Sequence, residues 1–182
     1  MNRILLTTLC LFVFSSTPLS SVEAPKAPQD EFSFVVLGDS QFHKPGAFNQ
    51  VIDEVALLSP AFVIQVGDLI RGYVQTDDEF RAQWKRFKAQ ISGLGDVPYY
   101  PVPGNHDVFN KERKPEGAAV FREVWGDLYY SFNYRNTHFT VLDTDHEGSQ
   151  RSISGAQLKW LKSDLQEAQE QTHRIVLFHR PP

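Results

Sequence analysis

The sequence from residue 62 to residue 70 reads FVIQVGDLI, a mostly apolar run that is interrupted by Gly67-Asp68. A short apolar run bounded by glycine is typical of a strand that is buried on both faces of a sheet. The glycine permits a tight turn, and the aspartate places a carboxylate at the end of the strand. The same pattern occurs at residues 32–37, which Gly38-Asp39 follows. Each Gly-Asp alone is typical of an ordinary turn, but the repetition indicates a shared site.

Apolar residues elsewhere alternate between strand-like runs and helix-like spacing. Two further short runs, residues 99–102 and 175–178, end in Pro103-Gly104 and in His179. Three apolar stripes recur at helical spacing between the runs: Phe48, Val51, Ile52, Val55 and Leu58; Phe80, Trp84, Phe87 and Ile91; and Leu158, Leu161 and Leu165. Residues 129–134 and 138–142 are predicted to pair as strands. This order predicts an α/β fold with a sheet that is buried on both faces and largely parallel in its first half.

Each of the four runs ends in a group that can bind a metal ion. These groups are Asp39, Asp68, Asn105-His106-Asp107 and His179. In open α/β sheets, ligands bind at the carboxyl ends of the strands. Two carboxylates brought together repel each other, and a divalent cation between them removes the repulsion. The sequence therefore predicts a metal site at one edge of the sheet.

The motif Gly104-Asn105-His106-Asp107 carries the most specific chemistry. Asn105 offers a neutral oxygen ligand, and His106 offers an imidazole that can transfer a proton near neutral pH. Asp107 is expected to hold that imidazole in one tautomer. The alternative is a loop with a capping asparagine and a solvated histidine, which the neighbouring Gly-Asp motifs make the weaker interpretation.

Composition excludes some classes of function. The chain has 182 residues, a formal net charge of −4 and no long basic run, so we expect no nucleic-acid partner. Its single cysteine, Cys10, lies in the N-terminal apolar segment. Any metal in the folded domain must therefore be bound by oxygen and nitrogen ligands.

The N-terminal residues have the pattern of a secretory signal peptide. Arg3 precedes an apolar run at residues 4–14, and small and polar residues follow up to Ala24. The run is shorter than the roughly 20 residues that span a bilayer, so we expect no stable membrane span. The prediction is a signal peptide at 1–24, a linker at 25–31 and a domain at 32–182, with export from the cytoplasm. An N-terminal anchor is the alternative.

The order of these motifs resembles that of the calcineurin-like metallophosphoesterases. That family carries Asp-x-His, Gly-Asp, Gly-Asn-His-(Asp or Glu), a single His and then Gly-His-x-His. The matching residues here are Gly38-Asp39-Ser40-Gln41, Gly67-Asp68, Gly104-Asn105-His106-Asp107 and Phe178-His179. The resemblance covers residues 32–182 and implies part of a four-layer α/β/β/α sandwich with mixed sheets.

Two departures from the family pattern stand out. Gln41 replaces the usual histidine, and an amide oxygen is a weaker partner for zinc than an imidazole. A subgroup of the family opens with Asp-x-Gln and includes phosphatases that act on phosphoproteins. His43 is an alternative ligand, but its position two residues further along favours a place on the loop surface. No Gly-His-x-His occurs in the chain. We therefore expect an N-terminal portion of the domain that stops before its last ligands and has weak activity or none by itself.

The resemblance also implies a role for each matched residue. Asp68 bridges two divalent metal ions (Mn, Fe, Zn or Mg), Asp39 and Gln41 bind the first, and Asn105 and His179 bind the second. His106, oriented by Asp107, assists departure of the leaving group from a phosphorylated substrate. The expected function is hydrolysis of phosphomonoesters or phosphodiesters. The alternative is an inactive fragment or pseudoenzyme that binds metal or ligand without turnover; substrate and oligomeric state stay open.

Other polar residues receive structural interpretations. Arg71 and Arg180 are expected to be exposed after their strands rather than to bind substrate. Asp143, Asp145 and His146 have the composition of a metal cluster, but their position after a strand favours a hydrogen-bonded turn.

Overall fold

The structure, a computed structural model, describes residues 31–42, 44–146 and 149–182, without the side chains of His146 and Ser149. The predicted signal peptide, all of the predicted linker except Glu31, and His43 lie outside the described residues. In the described part of the chain, no helix combines the length and apolar character needed to cross a membrane.

The first sheet is parallel and contains β1 (Val35–Leu37), β2 (Val63–Val66) and β3 (Tyr99–Val102) in that order. The crossover helices are α1 (Pro45–Leu58) and α2 (Asp77–Ile91). Pro45 suits the first turn of α1, where no backbone N–H is required. Thr76 and Glu79 form a capping box at the start of α2, which fixes where that helix begins.

The second sheet is mixed and has the order β4 (Tyr130–Tyr134), β5 (Thr137–Val141) and β8 (His173–Leu177). Strands β4 and β5 are antiparallel, whereas β5 and β8 are parallel. Helix α5 (Gly155–Glu167) makes the crossover to β8. The remaining elements are α3 (Asn105–Val108), α4 (Gly117–Trp125) and a small hairpin of β6 (Asp145–His146) and β7 (Ser149–Gln150).

Successive residues of the segment around β2 point to opposite apolar layers. Phe62 and Ile64 belong to a core between the two sheets, which also contains Val102, Phe139, Val141 and Leu177. Val63 packs on the other face with Ile52 and Val55 of α1. Burial on both faces explains why the strand reads as a nearly continuous apolar run.

Helix α5 covers the outer face of the second sheet through polar contacts. Its buried Asp164 accepts hydrogen bonds from Ser131 at 2.5 Å and Thr140 at 2.8 Å, and lies 2.9 Å from the ring of His138. The layers are thus helix, sheet, sheet and helix, which confirms the predicted α/β class. The mixing of strand directions is confined to the second sheet.

Candidate metal centre

Three of the predicted ligands meet at the carboxyl ends of the strands. Asp39 follows β1, Asp68 follows β2 and His179 follows β8. One ligand atom from each lies within 4.8 Å of the other two, which is close enough for all three to bind one ion. Residues 140 positions apart in sequence are therefore brought to one point by the two sheets.

Asp68 lies at the centre of this cluster and is only 4% exposed. Its Oδ1 accepts a hydrogen bond from the backbone N–H of His106 at 3.0 Å and lies 3.3 Å from His179 Nε2. Its Oδ2 accepts a hydrogen bond from Gln41 Nε2 at 2.5 Å and lies 3.8 Å from His106 Nε2. Burial acts to raise the pKa of Asp68, but His179 and the His106 N–H outweigh it and lower that pKa. The carboxylate is therefore ionised at neutral pH and ready to bind a cation.

Backbone carbonyls fix the tautomers of the two histidines. His179 Nδ1 donates to the carbonyl of Val66 at 2.9 Å, and His106 Nδ1 donates to the carbonyl of Arg71 at 2.6 Å. A carbonyl oxygen only accepts, so Nδ1 carries the proton in both rings and Nε2 faces Asp68. This arrangement is the usual support of a metal-binding or proton-transferring imidazole.

Asp107 has a different role from the predicted one. Its carboxylate accepts hydrogen bonds from the backbone N–H groups of Leu69, Ile70 and Gly104 at 2.9, 3.1 and 2.8 Å. It is fully buried and joins the loop after β2 to the loop after β3, whereas the carbonyl of Arg71 orients His106. Burial and the charge on Asp68 raise the pKa of Asp107 to about 8. The expectation that Asp107 orients the His106 ring is therefore corrected, because the backbone donors take both of its oxygens.

The two predicted amide ligands lie beside this centre. Asn105 donates through Nδ2 to the hydroxyl of Tyr73 at 2.9 Å, which leaves its oxygen as the atom suited to a cation. Gln41 reaches Asp68 directly, as described above. Carboxylate, imidazole and amide groups together suit a hard or borderline divalent cation, so the donor set fits the metal that the sequence predicts.

The loops that carry the ligands have unusual backbone conformations. Asp39, Gln41 and Asp68 have positive φ values of 52°, 39° and 53°. Residues other than glycine rarely adopt this region, and such strain concentrates at functional sites. Gly67 and Gly104 have no side chain, and neighbouring residues of the site pack into the space this leaves. A Cβ atom on Gly67 would lie 2.4 Å from the His179 ring, and a Cβ atom on Gly104 would lie 2.3 Å from the backbone nitrogen of Asp68.

A buried polar chain that no motif predicted supports the first loop. Gln65, which is 0% exposed, donates to Ser40 Oγ at 2.9 Å, and Ser40 donates to the carbonyl of Leu69 at 2.8 Å. The hydroxyl of Tyr99 donates to the other end of the Gln65 amide. The signal in the sequence is Gln65 itself, because a polar residue inside an apolar strand requires a buried partner.

The structure also describes three other polar residues that the sequence analysis considered: Arg180, Arg71 and Asp143. Arg180 is not exposed as expected: it forms a two-point ion pair with buried Asp145, with Nε 2.9 Å from Oδ2. This pair ties the residue after His179 to the β6–β7 hairpin. The side chain of Arg71 is exposed, and Asp143 accepts from the N–H of Asp145 at 2.9 Å in a turn.

Metal binding is expected to depend on pH through His179. Burial acts to lower the pKa of His179, but the hydrogen bond and charge of Asp68 raise that pKa to about 9 from 6.5. A proton must leave before the ring binds a cation, so affinity should rise roughly tenfold per pH unit between pH 6.5 and 8.5. The His179–Asp68 pair correspondingly stabilises the metal-free fold fully below pH 6.5, and that stability is lost as pH rises through about 9.

Calorimetric titration of Mn²⁺ in buffers of different ionisation enthalpy measures both the affinity and the proton release. The expected result is close to one proton released per ion at pH 7. The variant His179→Gln is the matched control and should bind more weakly with a flatter pH profile. Affinity of the wild-type protein that does not change with pH would contradict the assigned role of His179.

The sequence matches the model of a known protein family. The family model described as calcineurin-like phosphoesterase matches residues 32–182. The chain therefore belongs to the calcineurin-like phosphoesterase family, whose members are hydrolases acting on phosphoester bonds.

The individual relatives are named for different phosphoesterase activities. The chain is 30% identical over 141 residues to the serine/threonine-protein phosphatase CPPED1 of Rattus norvegicus, covering 72% of this chain and 44% of that protein. It is 26% identical to acid phosphatase type 7 of Danio rerio (81% and 35%) and 30% identical to a probable glycerophosphodiester phosphodiesterase, GpdQ, of Arcobacter nitrofigilis (68% and 42%).

A solved structure supports the fold. A dimetal phosphatase from Danio rerio aligns with a TM-score of 0.59 at 17% identity, covering 81% of this chain and 69% of that one. The chain spans less than half the length of the curated relatives it matches.

Proposed function

We propose that this protein hydrolyses phosphoester bonds at a dinuclear metal site centred on Asp68. The observation that carries the proposal is the convergence of Asp39, Asp68 and His179 within 4.8 Å, with two imidazole Nε2 atoms facing one carboxylate. Family membership makes phosphorylated compounds the substrate class.

We assign a separate set of ligand residues to each of the two metal ions. Asp68 offers one oxygen towards His179 and the other towards Gln41, which supports a proposed role in holding two ions, one at each oxygen. We assign Asp39 and Gln41 to one ion, and Asn105 and His179 to the other. The metal ions, when bound, activate water and neutralise charge on the phosphoryl group.

His106 is the candidate for proton transfer. Its Nδ1–H is held by the carbonyl of Arg71 and its Nε2 faces the site. In the protonated state Nε2 can donate to the oxygen of the departing group or to a phosphoryl oxygen. Asp107 contributes by fixing the two loops that carry Asp68 and His106.

The alternative function is metal or ligand binding without turnover. The observation that favours it is the hydrogen bond from the Gln41 amide to Asp68 Oδ2, because this bond competes with an ion for the same oxygen.

The amide also bears on which metal ion activates the enzyme. An amide ligand binds Zn²⁺ more weakly than an imidazole does, so we propose Mn²⁺ or Mg²⁺ as the activating ion.

We further propose that the protein is exported, on the basis of the N-terminal pattern at residues 1–24.

A chelation and rescue experiment tests turnover. The protein, expressed as its full natural chain, is treated with EDTA, dialysed, and assayed with p-nitrophenyl phosphate and with bis(p-nitrophenyl) phosphate, with and without Mn²⁺. We expect no hydrolysis after chelation and recovery with Mn²⁺, and the better substrate identifies a monoesterase or a diesterase. Hydrolysis that survives chelation would contradict the proposal, and Mn²⁺ binding without hydrolysis of either compound would support the alternative.

A further inference from the structure

The segment that follows the second motif lies against the third motif. The carbonyl of Arg71 accepts the Nδ1 proton of His106, and the backbone N–H of Tyr73 donates to the carbonyl of Phe109 at 3.0 Å. Tyr73 has a positive φ of 49°, a conformation that a tyrosine adopts only when its surroundings impose it. Residues 71–73 thus lie against residues 105–109, and Tyr73 is held there in a strained conformation.

The side chain of Tyr73 contacts two residues of the site at once. Its hydroxyl accepts a hydrogen bond from Asn105 Nδ2 at 2.9 Å. Its ring meets the ring of His106 edge to face, with centroids 4.7 Å apart and planes at 84°. Tyr73 is half-buried and packs on the core formed by α2, α4 and the loops between them.

The direction of the Asn105 hydrogen bond has a chemical consequence. An asparagine amide binds a cation only through its oxygen, and a rotation by 180° would turn the NH₂ group towards the ion. A hydrogen bond from Nδ2 to the Tyr73 hydroxyl holds the NH₂ group at Tyr73 and leaves the oxygen as the amide atom that can bind a cation. Groups that hold a ligand in this way commonly change metal affinity 10- to 100-fold.

We propose that Tyr73 is a positioning residue that fixes the Asn105 amide with its oxygen available to the metal and supports the His106 ring through aromatic contact. This inference rests on the proposed function for its effect on metal binding, but the orientation of Asn105 is a property of the metal-free protein. The hydroxyl and the ring make separate contributions, so different substitutions separate them.

The test compares Tyr73→Phe with Tyr130→Phe. The hydroxyl of Tyr130 also makes one hydrogen bond at 2.9 Å, to the carbonyl of Pro101, so the control loses a matched contact away from Asn105. Mn²⁺ binding is followed by the electron paramagnetic resonance signal of the free ion. We expect about tenfold weaker binding in Tyr73→Phe and no change in Tyr130→Phe.

A double-mutant cycle shows whether Tyr73 acts through Asn105. In the Asn105→Ala background, Tyr73→Phe should cause no further loss of Mn²⁺ affinity. The variant Tyr73→Leu should also lower kcat at saturating Mn²⁺, because the ring against His106 is removed. Wild-type affinity in Tyr73→Phe, or an equal loss with and without Asn105, would overturn the proposal.

A readout without metal keeps this inference separate from the proposed function. The side-chain NH₂ resonances of Asn105 in the metal-free protein should shift in Tyr73→Phe but not in Tyr130→Phe. Resonances that stay the same in both variants would refute the positioning role. Failure of the wild-type protein to bind Mn²⁺ would instead contradict the proposed function, and the resonance comparison would still decide the role of Tyr73.

Discussion

Replacing Asp68 by asparagine is expected to abolish Mn²⁺-dependent hydrolysis, with a loss of roughly a thousandfold or more. Asp68 faces both histidines and Gln41, so the substitution removes the negative charge that these three side chains share. The change keeps the shape of the side chain, so the loss should come from chemistry and not from packing. Initial rates of the full natural chain at saturating Mn²⁺ measure it.

The control for this variant is Asp96→Asn. Asp96 is exposed and precedes β3, at the opposite end of the strand from the site. Its variant should retain wild-type rates, and circular dichroism should show that both variants are folded. An Asp68→Asn protein that turns over at the wild-type rate would refute the assignment of the site.

The substitution Gly104→Ala is expected to reduce activity by about a hundredfold without adding or removing a functional group. The φ of Gly104 is −109°, which any residue adopts, so the constraint is space and not conformation. An added Cβ would overlap both the backbone nitrogen and the Oδ1 of Asp68. The two loops would have to separate, and a displacement of about 1 Å is enough for an effect of this size.

Gly46→Ala provides the matched control, because a Cβ on Gly46 meets nothing within 4 Å. This position lies in the first turn of α1, where alanine favours the helix. Rates within twofold of wild type are expected for Gly46→Ala. If Gly104→Ala retained such rates as well, the close packing of the two loops would not be important for activity.

Apolar periodicity was sufficient to predict the main elements of the fold. Burial of β2 on both faces follows directly from the run at residues 62–66, and the stripe Phe80, Trp84 and Phe87 is the buried face of α2. The start of α2 directly after Thr76 depends on a capping box, a local hydrogen-bond pattern that apolar spacing does not report. The hairpin at residues 145–150 is polar and short, so it also has no periodic signal.

The residues that meet at the candidate site were predictable because each follows a strand. Their supports were not, since those contacts join residues that are distant in sequence. Asp107 was expected beside the ring of its neighbour His106, but its partners are Leu69 and Ile70 in another loop. Tyr73 belongs to none of the sequence motifs. Its contact with Asn105 arises from the packing of the segment after Asp68.

The central claim is that Asp39, Asp68 and His179 bind divalent metal. Anomalous diffraction at the manganese absorption edge, from crystals of the protein grown with Mn²⁺, tests it most directly. The expected result is an anomalous peak within bonding distance of Asp68 oxygens and of His179 Nε2. Density that shows Mn²⁺ bound elsewhere, with these three side chains unliganded at saturating Mn²⁺, would contradict the account.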